Sequence, residues 1–182
     1  MSVTADLRIW AADIARVQLV GLPRRWKHTQ GVARQAERVS ALVDDPDLLV
    51  ASAWLHDVGY AEHLAHTGFH PLDGARFLAA IGAYERICGL VAHHSCACVE
   101  ARNRNLMIDW ADERTALRDA LWWADMTTTP TGGITDVSSR IEEVLQRYGP
   151  DHVVARSVLE SRSELLAAAE RTEQMIFDQA QV

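Results

Sequence analysis

Apolar residues recur at helical spacing along almost the whole chain. Leu7, Trp10, Ile14, Val17 and Val20 mark one stripe, which stops at the Gly-Leu-Pro sequence of residues 21–23. No segment alternates apolar and polar positions in the manner of a half-buried strand. The pattern therefore predicts an all-α fold that opens with an amphipathic helix.

Turn residues divide the remainder into further helices. Proline is well tolerated in a first helical turn, so the Asp-Asp-Pro sequence at 44–46 ends one helix and begins the next. Residues 59–69, of mixed polarity, predict a loop, and the Thr-, Pro- and Gly-rich residues 127–133 break a helix just after Asp125. The second predicted helix begins near His28 or Thr29. The helices predicted after it span 46–57, 70–80, 84–94, 99–106, 113–126, 134–148 and 151–177.

The composition is that of one globular domain. With 182 residues the chain can bury one core of ordinary size. The formal net charge of −7 argues against a general nucleic-acid surface, because phosphate backbones are bound by basic faces. No apolar run approaches the roughly 20 residues that cross a bilayer, and Asp6, Arg8 and Asp13 stand where a signal peptide would be apolar. We expect a cytoplasmic protein without membrane contact.

The three cysteines do not form a recognisable site. Cys88, Cys96 and Cys98 are odd in number and lack paired C-x-x-C spacing. Neither a disulfide framework nor a thiolate zinc site is therefore expected.

Histidines are concentrated in one part of the chain. Seven of the eight fall between His28 and His94, and His56 is followed directly by Asp57 at the end of the apolar residues 48–55. Imidazoles with carboxylates suit iron, manganese, zinc, cobalt or nickel, whereas magnesium prefers all-oxygen shells. The suspected ligands cluster at predicted helix ends, which a helical bundle can bring to one mouth. They are His28, His56, Asp57, His70, His93, His94 and Asp125.

Three segments, in this order, resemble the HD superfamily of metal-dependent phosphohydrolases, whose pattern is a His, then a His-Asp pair, then a late Asp. The matching segments are RWKHTQGVA at 25–33, AWLHDVGY at 53–60 and LWWAD at 121–125. The resemblance implies a single-domain helical bundle, with an HD domain over 25–147, an N-terminal helix within 1–24 packed on it, and a C-terminal helix within 148–182 in the same unit. It also implies that His56 and Asp57 are catalytic.

Two further segments are similar to those of HD enzymes that bind two metal ions: HPLDGARFL at 70–78 and VAHHS at 91–95. By this resemblance His70 and one or both of His93 and His94 complete a second metal position, with Asp57 bridging. Whether one or two divalent transition-metal ions bind stays open, as does the choice between His93 and His94. No Gly-Tyr-Pro follows the His pair, so the cyclic dinucleotide specificity of the HD-GYP subgroup is not implied. A looser similarity, through 25–33, is to small HD hydrolases that split diadenosine tetraphosphate.

Four basic residues are candidate substrate contacts. Arg25 and Lys27 flank His28 and could meet a phosphate, with a solvated basic cluster as the equal alternative. His63 and His66, in the predicted loop, either touch substrate or are solvated.

The expected function is hydrolysis of a phosphate ester of a nucleotide or other small phosphorylated metabolite by metal-activated water. The alternative is a mixed-valent di-iron oxygenase, because a minority of HD proteins use such a ligand set to cleave C–C or C–P bonds with oxygen. The short interval between Asp57 and His70 fits the hydrolase pattern better. A non-catalytic binding module is a third alternative, which the intact motif disfavours. The expected partner is the small phosphorylated substrate, and a homodimer stays open.

Overall fold

The molecule is built from α-helices joined by short turns. The computed structural model describes residues 3–181, with side chains from Leu7 onward; residues 1, 2 and 182, which belong to the predicted terminal elements, lie outside the described residues. These described residues contain no β-strand, only one isolated bridge between Thr128 and Ile134, so the all-α prediction is confirmed. The helices are α1 (Val3–Leu19), α2 (Pro23–Val39), α3 (Pro46–Leu55), α4 (His70–Ala80), α5 (Glu85–His93), α6 (Ala97–Asn103), α7 (Ala116–Met126), α8 (Val137–Tyr148) and α9 (Val153–Gln179).

Helices α3 and α7 form the centre of the core. Every α3 residue from Leu48 to Leu55 is buried except Trp54, as expected of a helix that is apolar on all sides. In α7 all residues from Leu117 to Met126 are buried. Helices α1 and α2 pack on α3, and α9 packs on α6, α7 and α8. Both terminal helices therefore share one core with the helices between them.

The predicted start of α2 near His28 is wrong. The helix begins at Pro23, the first helical residue, because the fixed φ of proline and its missing N–H suit that position. His28 consequently lies in the second turn of α2 rather than at its start.

Helices α7 and α8 begin slightly later than predicted, each directly after a side-chain cap. Thr115 accepts from the backbone N–H of Arg118, and Asp136 accepts from that of Ser139. Such caps satisfy backbone donors that have no partner within the helix, and so fix where the helix starts.

The predicted apolar stripe of α1 is only partly correct. Val17 and Val20 are 64% and 59% exposed, whereas Ala11, Ala15 and Leu19 are fully buried. These three share one helical face, since residues four apart lie above one another, and α1 packs on α3. Small alanine side chains allow that close approach, which hydrophobicity alone does not reveal.

The predicted loop at 59–69 is partly structured. It contains the turns of 3-10 helix Val58–Tyr60 and Glu62–Leu64 before α4 begins. Among the described residues, no helix is both long and apolar enough to pass through a bilayer.

Candidate metal centre

The ring of His56 is fixed by the end of α3. Its Nδ1 lies 2.7 Å from the carbonyl oxygen of Ala53. Because a carbonyl can only accept, Nδ1 carries a proton, and the ring in its metal-binding form presents a lone pair at Nε2. This Nε2 is buried without a hydrogen-bond partner and lies 3.6 Å from Oδ1 of Asp57. A buried acceptor with no donor is the arrangement expected of a metal ligand.

His28 and Asp125 face each other in a similar way. Nδ1 of His28 lies 3.0 Å from the carbonyl oxygen of Thr129, so the ring in its metal-binding form again presents its lone pair at Nε2. That atom is 2.9 Å from Oδ1 of Asp125. Two acceptors this close require a cation or a second proton between them. Asp125 Oδ1 also lies 3.9 Å from Nε2 of His56.

His94 and His70 approach Asp57 from the other side. Nδ1 of His94 lies 2.6 Å from the carbonyl oxygen of Val91, which leaves the His94 lone pair on Nε2. Nε2 of His70 is 3.2 Å from this Nε2 and 3.3 Å from Oδ1 of Asp57. Three histidines of the cluster thus donate from Nδ1 to a main-chain carbonyl and turn Nε2 inward.

The cluster contains two overlapping groups that could each hold one ion. His28, His56 and Asp57 form one group, and Asp57, His70 and His94 form the other; within each group the ligand atoms lie within 4.8 Å of one another. Asp57 is the shared member. A set of neutral imidazoles and carboxylates fits a divalent transition metal. We refer to His28, His56, Asp57, His70, His94 and Asp125 together as the metal centre.

The two carboxylates are held ionised. Burial would raise the pKa of Asp57, but the positive charges of His56, when its ring is protonated, and of Arg25 outweigh burial and keep that pKa well below its usual value. Burial would likewise raise the pKa of Asp125, and there His28 and His56, when their rings are protonated, lower it, His28 through a hydrogen bond. Ionised carboxylates are the form that binds metal.

Two of the imidazoles are held neutral. Burial lowers the pKa of His70 to about 3. Burial, together with the neighbouring His56, also lowers the pKa of His94. Neutral imidazole rings are again the form that binds metal.

A close contact between glycines brings α4 to Asp57. A Cβ atom at Gly59 would lie 2.1 Å from the carbonyl oxygen of His70 and 2.6 Å from the backbone nitrogen of Gly74. Only glycine permits such an approach. Because His70 is the first residue of α4, this contact fixes its position beside Asp57.

A second close contact holds the turn after α7 against α2. A Cβ atom at Gly31 would lie 2.8 Å from Cα of Gly132, so these two backbones touch. The contact positions the carbonyl of Thr129 next to Nδ1 of His28. Gly31 therefore contributes to the orientation of the His28 ring.

Ser95 belongs to the site and was not predicted. Its Oγ donates to Oδ2 of Asp125. Ser95 and Cys96 have φ angles of 48° and 61°, a left-handed conformation that costs a non-glycine residue roughly 1–2 kcal/mol. This strained turn links α5 to α6 directly after His94. Its only sequence signal is the position of Ser95 next to the His pair.

Arg25, predicted as a substrate contact, lies beside the metal centre. Its Nη1 is 3.3 Å from Oδ2 of Asp57, and its guanidinium carbon lies 3.6 Å from the ring centroid of Tyr60. The Tyr60 ring stacks on that of His70 at a centroid distance of 3.9 Å. Tyr60, which the sequence reading overlooked, therefore orients both Arg25 and His70.

The other predicted residues lie elsewhere. Nε2 of His93 is 2.8 Å from the carbonyl oxygen of Trp110, and His93 lines a separate cavity together with Cys98. Of the adjacent pair, only His94 enters the metal centre. Lys27, His63 and His66 are exposed and do not line the cleft at the metal centre.

This cleft extends from the metal centre to α8. It is lined by five of the six metal-centre residues, by Arg25 and Tyr60, and by Arg140, Arg147 and Tyr148 of α8. Its cavity volume is about 110 Å³, which is below the roughly 300–1,000 Å³ of sites that enclose a whole drug-sized ligand. The two α8 arginines were not predicted, because on one sequence they are indistinguishable from any solvated basic positions.

Comparison with known families agrees with this geometry. The model of the HD domain matches residues 25–117, just over half of the chain. The matched segment includes every metal-centre residue except Asp125, which the fold returns to His28 from beyond the match. No curated protein and no solved structure matches the sequence. From the family match over this length, the chain belongs to the HD-domain superfamily.

Proposed function

We propose that the protein is a metal-dependent phosphohydrolase that cleaves a phosphate ester of a nucleotide or another small phosphorylated metabolite. The observation that carries this proposal is the sharing of Asp57 between two groups that could each hold an ion, on the wall of a cleft that also contains arginines. When bound, a divalent metal supplies Lewis-acid chemistry, since it lowers the pKa of a water and polarises a phosphoryl oxygen.

The protein's own residues contribute binding and orientation. The carboxylate of Asp57 and the inward Nε2 atoms of the histidines would hold the metal. Arg25 offers a guanidinium next to Asp57, on the cleft wall, where it can bind phosphoryl oxygens and offset their negative charge. Tyr60 limits the motion of that guanidinium by lying against it.

The test is phosphate release by the full chain loaded in turn with Mn²⁺, Fe²⁺, Co²⁺, Ni²⁺ or Zn²⁺. The panel should contain phosphomonoesters, nucleotides and dinucleoside polyphosphates. We expect turnover with at least one metal, and a loss of at least about 10³-fold in the His56→Ala plus Asp57→Ala variant. The exposed pair His63→Ala plus His66→Ala is the matched control and should keep wild-type rates. No release from any substrate with any metal would refute the proposal.

The same ligand set also suits the alternative of a di-iron oxygenase. Iron analysis separates the two functions. A mixed-valent EPR signal together with oxygen consumption would favour the oxygenase, whereas phosphate release without oxygen would favour the hydrolase.

A further inference from the structure

A side chamber adjoins the metal centre on the α8 side. It shares four lining residues with the cleft, including the metal-centre residue His28. Three of its six lining residues are arginines and none is acidic, although the whole chain has a net charge of −7. The lining residues are Arg24, Arg25, His28, Pro130, Arg147 and Tyr148.

The carboxylate of Glu143 pairs with three arginines at and near this chamber. Nε of Arg147 donates to Oε1 of Glu143 at 2.9 Å, and Nη2 of Arg24 lies 3.7 Å from the same oxygen. Arg140 donates to the other oxygen, Oε2. Glu143 therefore holds the three guanidiniums close together but neutralises only one of their charges. The remaining positive charge has no acidic partner on the chamber wall.

Arg140 adds an independent observation. The residue is only 7% exposed and lines the cleft, and its Nε is buried without a hydrogen-bond partner. A buried guanidinium donor left unpaired costs folding free energy. Guanidinium groups match the oxygens of a phosphate particularly well, so an anion held against Arg140 would offset part of this cost.

We propose that Arg24 and Arg147 on the chamber wall, together with Arg140 on the wall of the adjoining cleft, form a second anion subsite, which binds a non-reacting phosphate group of the substrate. This inference rests on the proposed function and narrows it to small phosphate esters that carry two phosphate groups. In the reaction, water adds to the phosphorus at the metal centre and the P–O bond to the leaving group breaks. The leaving oxygen takes one proton of the water, so the products are inorganic phosphate and a molecule that keeps its second phosphate in the chamber.

The first test counts bound phosphate by equilibrium dialysis of the full, Mn²⁺-loaded chain against radiolabelled inorganic phosphate. We expect two phosphates per wild-type chain, one at the metal centre and one in the chamber. The Arg24→Gln plus Arg147→Gln variant should lose the chamber phosphate, with its affinity at least tenfold weaker. Arg162→Gln, an exposed arginine of α9 that lines neither cavity, is the matched control and should bind two. An arginine variant that binds as much phosphate as wild type would overturn the proposal.

The second test asks whether the chamber binds a phosphate group of the substrate during turnover. The ratio of kcat/KM for a nucleoside 5′-diphosphate to that for the 5′-monophosphate should fall at least tenfold in Arg147→Gln. The single variant Arg24→Gln, at a mostly exposed side chain, should shift the ratio in the same direction without a risk to folding. An unchanged ratio in both variants would contradict the assignment. If no ester is turned over, the proposed function fails, and the phosphate count alone decides the subsite.

Discussion

Nε2 of His28 lies 2.9 Å from Oδ1 of Asp125, although 97 positions separate the two residues in the chain. With the Nδ1 proton of His28 directed at the carbonyl of Thr129, the facing atoms are both acceptors. The pair is stable only with a metal ion or a second imidazole proton between the two atoms. Either one joins Asp125, at the end of α7, to His28 of α2.

Ser95 should tune metal affinity through Asp125. Loss of its hydroxyl in Ser95→Ala removes the hydrogen bond to Oδ2 of Asp125. We expect metal affinity to fall about 10- to 100-fold, the usual effect of removing a group that orients a ligand. Chelator competition measures this affinity. Ser95→Gly should weaken binding equally while relieving the left-handed strain, and Ser163→Ala, at an exposed position of α9, should leave affinity unchanged.

The adjacent histidines should differ in their effect on bound metal. His94→Gln removes an inward Nε2 and should lower the metal content found by elemental analysis. His93→Gln should keep the wild-type metal content, and lose about 1 kcal/mol of stability through the hydrogen bond to Trp110. Equal metal loss in both variants would show that His93 reaches the site.

Gly59→Ala should both destabilise the fold and disturb the site. Its Cβ atom would lie 2.1 Å from the carbonyl oxygen of His70, so α4 must shift. We expect a cost of about 1–3 kcal/mol or more in urea unfolding and weaker metal binding. Gly21→Ala is the matched control, because its Cβ would meet nothing within 4 Å; its stability should change by less than about 0.5 kcal/mol. Similar unfolding midpoints for the two variants would rule out the close contact.

The metal-free protein should lose stability as the pH falls from 6.5 towards 3. Burial lowers the pKa of His70 to about 3 from an ordinary 6.5, so in this window the unfolded chain binds the proton and the folded chain does not. By linkage, stability then decreases with falling pH. Asp57 and Asp125, whose folded pKa values are also lowered, add to this loss below about pH 4.

Urea midpoints of EDTA-treated protein between pH 7 and 4 check this expectation. His70→Asn should show a shallower pH dependence, while His152→Asn, at an exposed position, should follow wild type. Parallel curves for wild type and His70→Asn would mean that His70 titrates normally in the folded state.

Much of the helical framework is local in origin, and local patterns predicted it. The helix predicted over 70–80 is α4 as observed, because Pro71 sits in its first turn and Gly82 follows its end. The Asp-Pro start of α3 was equally readable, since Asp45 caps the helix. The start of α2 was missed because a Gly-Leu-Pro sequence signals a break and a helix start alike.

The sequence by itself determined the superfamily pattern of His28, His56, Asp57 and Asp125, because residue type and order are enough to define it. Only the tertiary structure decided which of His93 and His94 joins these residues, since the His93 ring turns to the carbonyl of Trp110 whereas the His94 ring turns to His70. It also brought Ser95 and the α8 arginines to the cleft. Contacts of this kind depend on how helices distant in the sequence pack together, and this packing cannot be deduced from the spacing of residues along the chain.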